Sequence, residues 1–143
     1  MKCLNCQKKQ KQLKQQFLAL STLEERFEKC IAMGRALPPF PEEKRQKEYR
    51  VHGCQSTLYL VITLDQGKMH ISASSDSLIS SGLAALLIAI YENEPPETLF
   101  QCPPLFLKEI GVLDNLSPMR SNGLHSLYKK MQEDVLKLGV VIG

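Results

Sequence analysis

Leu58-Tyr59-Leu60-Val61-Ile62-Thr63-Leu64-Asp65-Gln66-Gly67-Lys68-Met69-His70-Ile71-Ser72-Ala73-Ser74 is the stretch on which the fold class turns. Leu58, Leu60, Ile62 and Leu64 alternate with Tyr59, Val61 and Thr63, the period of a strand buried on one face and partly covered on the other. Asp65-Gln66-Gly67 is turn chemistry, so Lys68 to Ser74 is expected to return as an antiparallel strand through Met69 and Ile71. Glu48 to Val51 is expected to add a short third strand.

Outward from this hairpin the period becomes helical. Asp76 is placed to cap a helix carrying Leu78, Ile79, Leu83, Leu86, Leu87 and Ile90, in which Gly82 marks a close helix contact. On the other side, Ser21 and Thr22 followed by Glu24 and Glu25 form two overlapping capping boxes. Behind them Leu23, Phe27, Cys30 and Ile31 share one face, and Pro38, Pro39 and Pro41 end that helix. Residues 8–20 are helix-permissive but polar, with Leu13, Phe17 and Leu20 as the apolar stripe. Pro95-Pro96 and Pro103-Pro104 bracket a short helical turn, Leu105 to Ile110 makes another, and Leu124, Leu127, Met131, Val135 and Leu138 give a last helix its core stripe. The expected fold is α+β: a small antiparallel sheet of about three strands with helices packed on one face. Residues 1–10 are expected as an N-terminal tail and residues 11–143 as a single domain.

Composition narrows the function classes. A chain of 143 residues, 43% hydrophobic and 23% charged, can build its own core without disulfide or metal. The net charge of +3 is too small to imply nucleic acid. It is uneven: residues 1–50 hold 12 Lys/Arg against 6 acids, and residues 51–143 hold 6 against 9, so the basic half is either a docking surface for an acidic partner or a solvated helix face. The N-terminus has no apolar signal core, and the longest apolar stretch, Leu83 to Tyr91, falls short of the ~20 residues of a membrane span. A cytoplasmic location is expected. Five cysteines at irregular spacing then read as free thiols.

The chemistry concentrates at Val51-His52-Gly53-Cys54-Gln55-Ser56. Gly53 permits a left-handed turn, which places Cys54 at the tip of a connection just before the first strand. A thiolate there is a nucleophile, backbone N–H groups of a tight turn would stabilise it, and His52 offers a nearby cation or base. By spacing alone Cys54 could equally be one more small buried hydrophobe.

Three motifs in order decide between these. Gly53-Cys54-Gln55-Ser56 looks like the Gly-Cys-Gln-Ser motif of SufE-type proteins. Ser75-Asp76 with Ile79 and Gly82-Leu83 is similar to their Ser-Asp segment and following helix, and Leu116-Ser117-Pro118-Met119-Arg120-Ser121-Asn122-Gly123-Leu124 resembles their Leu-(Ser/Thr)-Pro-x-Arg-Ser-x-Gly-Leu signature. With Leu37-Pro38 as a weaker fourth, the resemblance spans roughly residues 12–138. It implies the α+β fold shared with IscU/NifU scaffold domains, with the family's cysteine at Cys54. It implies a sulfur carrier that accepts sulfane sulfur from the persulfide of a pyridoxal-phosphate cysteine desulfurase of the SufS or CsdA kind, raises its turnover, and passes the sulfur to a SufBCD-type scaffold or another acceptor. The cofactor belongs to that partner; no lysine here sits in a pyridoxal-phosphate context, and no metal is expected. Gly53, Gln55 and Ser56 would shape the loop, and Arg120 would hold a partner carboxylate, order the Cys54 loop, or act as a structural loop anchor. The motif does not fix His52.

Two other functions compete. An IscU-like cluster scaffold needs several thiolates converging on iron, and a Cys-dependent hydrolase needs a base such as His70 or His125 with an orienting group. Cys30 reads as core, Cys102 as a structural or incidental loop residue, His70 as outward-facing, and His125 as a polar contact at the start of the last helix. Cys3 and Cys6 are half a zinc site, a relay dithiol, or part of an incidental flexible tail.

Overall fold

The structure, a computed structural model, describes residues 3–53 and 56–139. At its centre β1 (Leu58–Asp65) pairs with β2 (Lys68–Ser75) in antiparallel register from Leu58 opposite Ser75 to Asp65 opposite Lys68. The connection is the two residues Gln66 and Gly67, both left-handed at φ 52° and 77°. That is the tight turn whose twist matches a right-handed hairpin. Leu58, Leu60 and Ile62 with Met69, Ile71 and Ala73 are buried on the core face. On the far face Tyr59 packs 6.0 Å from the Phe40 ring, and the Arg45 guanidinium covers both rings.

The expected third strand shrinks to one bridge, Arg50 opposite Tyr59, with Val51 N–H donating to the Leu58 carbonyl at 2.8 Å. Lys47–Tyr49 is a 3-10 turn, so the chain meets β1 only for Arg50 and Val51 before Gly53 turns it away. Among the described residues the sheet has two strands.

Helices pack on the core face of the hairpin. α1 (Leu4–Leu18), α2 (Leu23–Arg35), α3 (Leu78–Tyr91), α4 (Thr98–Gln101), α5 (Phe106–Glu109) and α6 (Pro118–Lys137) follow in order. α3 is buried along most of its length and meets α1, α2, α6 and β2. Its crossing with α2 is built on two glycines: a Cβ on Gly34 would stand 2.6 Å from the Gly82 nitrogen, and one on Gly82 would stand 2.6 Å from the Cys30 carbonyl oxygen. Of the two overlapping capping boxes, Thr22 and Glu25 form the reciprocal pair. At the other end of α3, the Glu94 carbonyl accepts from Met69 N–H and the Glu92 carboxylate from Ile71 N–H, at 2.9 and 2.7 Å, covering the outer edge of β2.

The first ten residues, expected as a tail, instead begin α1 at Leu4, and Cys6 is fully buried. Cys6, Leu13 and Phe17 fall seven and four apart, one helical stripe once Cys is counted as apolar. Lys9 fastens the helix from the same side, its Nζ lying 2.7 Å from the Glu94 carboxylate and 2.8 Å from the Glu92 carbonyl. Among the described residues no helix is long and apolar enough to cross a membrane.

Candidate functional site

Gly53 occupies φ +88°, the left-handed region the sequence called for. It also lies against α6: a Cβ there would stand 2.5 Å from the Ser126 hydroxyl. The dihedral favours glycine, and a side chain there would also have to push the Ser126 hydroxyl aside. His52 beside it is exposed. Cys54 and Gln55 lie outside the described residues.

The chain re-enters at Ser56, whose hydroxyl sits 2.8 Å from that of Ser80 on α3. Arg120 reaches in from α6, and one guanidinium nitrogen donates to both, at 3.2 Å to Ser56 and 2.9 Å to Ser80. Arg120 was expected in a loop; it lies in the first turn of a helix instead. Ser117 is the N-cap, accepting from the Arg120 N–H at 3.3 Å, and Pro118 occupies the first helical position, where its missing N–H costs nothing. The Ser-Pro-x-Arg run is thus a helix start that aims its arginine at the residue following the Cys54 segment.

A second device holds the same loop. Asp76 was expected to cap α3, but Ser77 does so, accepting from Ser80 N–H. The Asp76 carboxylate instead accepts from the Thr57 N–H at 3.0 Å, and Asp76 N–H donates back to the Thr57 carbonyl at 3.3 Å. Ser56 and Thr57 are both secured, one to α3 and α6, the other to the turn before α3. Behind them Leu58, Leu83, Leu124 and Leu127 wall a cavity of about 10 Å³, with Ser56, Ser80 and Arg120 at its polar side. That is room for one water-sized group.

The electrostatics of this corner are one-sided. Among the described residues no carboxylate pairs with Arg120, and its described acceptors are two neutral hydroxyls. The positive charge is held, half-buried, with no carboxylate partner among the described residues. Such a corner suits an anion.

The remaining candidates lie elsewhere. Cys30 is core, 2% exposed at the α2–α3 crossing, and burial pushes its thiol up to about 11. Of the two readings of Cys102 the structural one holds: it is buried beside Cys6, with Gln10 Nε2 within 3.2 Å of its sulfur. His70 does face outward, but pairs with Glu92 at 3.0 Å and stands 3.7 Å from Asp65. His125 lies well inside α6 rather than at its start, and is exposed. Neither histidine, and none of Cys3, Cys6, Cys30 and Cys102, lines the cavity by Ser56. No group of three or more His, Cys, Asp or Glu among the described residues is placed to hold a metal. Sequence reasoning missed Ser80 altogether; its signal was its position three residues after the cap Ser77, one turn from Asp76.

The chain is similar to known proteins. The SufE family model, described as an Fe-S metabolism associated domain, matches residues 11–135. An uncharacterized SufE-like protein of Rhizobium etli is 36% identical over 124 residues, covering 82% of this chain and 83% of that protein. The sulfur acceptor protein CsdE of Escherichia coli is 32% identical over 117 residues, 80% of each chain. The solution structure of a hypothetical protein from Thermus thermophilus superposes with a TM-score of 0.77 at 27% identity, over 92% of this chain and 97% of that one.

Proposed function

The chain belongs to the SufE family, and on that premise we propose that it accepts sulfane sulfur from a cysteine desulfurase onto Cys54 and hands it on for iron–sulfur cluster assembly. The Cys54 thiolate attacks the outer sulfur of the desulfurase persulfide. One S–S bond forms as the other breaks, the partner's cysteine leaves as thiolate, and no electrons are gained or lost overall. The reaction needs an anion at Cys54 before and after transfer, since a persulfide is more acidic than a thiol.

Arg120 carries this reading. Its guanidinium, without a carboxylate partner among the described residues, is fixed to Ser56, two residues beyond Cys54, with Gly53 on the other side close against Ser126. A cation at this spot favours the thiolate and its persulfide. Arg120 is a positioning and electrostatic residue here, and Cys54 the reacting one. The relative CsdE, named for sulfur acceptance, supports the sulfur-acceptor reading.

In this reading the partner is a desulfurase of the SufS or CsdA kind, which brings the pyridoxal phosphate. The onward acceptor is a SufBCD-type scaffold or another thiol acceptor, and the setting is the cytoplasm. A scaffold role receives no support from the described thiols, which lie away from Ser56. Desulfurase turnover tests the proposal. Adding the protein to a desulfurase with cysteine and reductant should raise sulfide release severalfold, and Cys54→Ser should remove that rise. Equal stimulation by Cys54→Ser would refute the assignment, and a brown, cluster-loaded protein after anaerobic iron and sulfide would favour a scaffold.

A further inference from the structure

We propose that Cys6 and Cys102 form an oxidisable pair, which a peroxide converts reversibly into a disulfide clamping α1 to the segment between α4 and α5. The pair is separate from Cys54, and the inference does not depend on the sulfur-carrier reading.

The two thiols lie far apart in sequence, Cys6 in the first turn of α1 and Cys102 at the residue after α4. Gln10 stands between them: its amide nitrogen lies 3.7 Å from the Cys6 sulfur, 3.2 Å from the Cys102 sulfur and 3.1 Å from the Pro103 carbonyl, while its oxygen accepts from Phe106 N–H at 3.2 Å. Tyr91 holds Cys102 in place through its hydroxyl, which donates to the Cys102 carbonyl at 2.6 Å. Both sulfurs thus contact one amide nitrogen, and movement of the Gln10 side chain aside lets them approach to disulfide bond length. Cys3, the nearest rival, directs its thiol to the Gln101 carbonyl at 3.6 Å.

Access sets the order of events. Cys102 lines an open groove of about 400 Å³ with Gln7, Gln10, Lys11, Lys14 and Phe106, whereas Cys6 lies behind it and is fully buried. Burial pushes the Cys6 thiol well above its ordinary range, and Cys102, at the groove, is the sulfur that meets peroxide first. The Cys102 sulfur attacks peroxide: the O–O bond breaks, an S–O bond forms, the sulfur loses two electrons and water leaves. Cys6 then attacks the sulfenic acid; the S–S bond forms, the S–O bond breaks, and the Cys6 proton departs with the hydroxyl as a second water. Peroxide is the only co-reactant.

The test uses the full chain with Cys54→Ser, which removes that thiol from the count. After a few equivalents of hydrogen peroxide, free thiols are blocked with N-ethylmaleimide and the protein is digested without reductant. A linked peptide joining Cys6 and Cys102, about 2 Da lighter than its two halves and lost on adding dithiothreitol, is the expected product. The oxidised protein should melt at least ~5 °C higher, because the bridge closes a long loop. Cys3→Ser should keep the linked peptide and Cys102→Ala should lose it; if Cys102→Ala does not fold, the digest of the Cys54→Ser protein decides alone. Recovery of Cys6 and Cys102 as maleimide adducts after denaturation, or a bridge made through Cys3, overturns the proposal.

Discussion

The Arg120 guanidinium on α6 lies 2.9 Å from the Ser80 hydroxyl on α3, and the same nitrogen reaches Ser56 at 3.2 Å. Three residues from three elements meet at one cation, on the side of the fold where the Cys54 segment re-enters. Neither serine can neutralise that charge.

Removing the charge should therefore weaken the thiolate more than the fold. Arg120→Ala is expected to slow Cys54 alkylation and sulfur acceptance roughly 5- to 30-fold, the effect of losing ~1–2 kcal/mol of charge-assisted interaction. The pH at which Cys54 alkylation reaches half its maximum should move upward. Arg120→Lys should recover part of both, since it keeps the charge without the planar fork. An unchanged pH profile in Arg120→Ala would reduce Arg120 to a structural tie.

The α2–α3 crossing tolerates no side chain at either glycine. Gly34→Ala and Gly82→Ala each drive a Cβ to 2.6 Å from backbone, which cannot swing aside. Each should cost ~1–3 kcal/mol in urea unfolding, where Ala in place of Gly in an open helix would instead gain about 1 kcal/mol. A stabilised Gly82→Ala would show that the helices do not cross so closely.

Lys9 and Glu94 should behave as a coupled pair. The Glu94 side chain is 6% exposed and Lys9 31%. Lys9→Met strands a buried carboxylate and should cost ~1–3 kcal/mol, less than a fully buried pair because Lys9 keeps some solvent. Adding Glu94→Gln should restore part of that loss. Additive single and double variants in a thermal-unfolding cycle would contradict the coupling.

Alkaline stability should track the buried thiol Cys30. Its folded value of about 11 stands above the ordinary 9.0, so the unfolded chain gives up this proton first. The thiol's contribution is complete below pH 9 and is lost as pH rises to 11, a fall of up to ~2 kcal/mol. Cys6 and Tyr91, also raised by burial, add to the decline in the same direction. Cys30→Ala should start lower at pH 8 and fall less steeply; an unaltered slope would remove Cys30 from the account.

The hairpin was legible because alternation and turn chemistry act over a few residues: Leu58 to Ile62 fixed the buried face, and Gln66-Gly67 the turn. Gly82 was legible too, as a glycine inside a strongly apolar helix. Less visible was whatever depended on distant partners. Cys6 looked like tail because its neighbours are Lys and Gln, and only the docking of α1 onto α3 and α5 shows why it is buried. The third strand failed because a 3-10 turn at Lys47–Tyr49 consumed the residues meant to pair. Ser80 was invisible as a site residue, since its meaning comes from Arg120, 40 positions away. The Cys54 assignment rests on its motif and on flanking residues, because Cys54 itself lies outside the described residues.

Sulfur on Cys54 is the central claim, and intact mass reads it most directly. The protein is incubated with a cysteine desulfurase and cysteine, separated without reductant and weighed. A gain of about 32 Da per sulfur atom, mapped to the Cys54 peptide and absent from Cys54→Ser, is the predicted result. The same gain on Cys54→Ser, or none on the unaltered protein when the desulfurase itself carries sulfur, would contradict it.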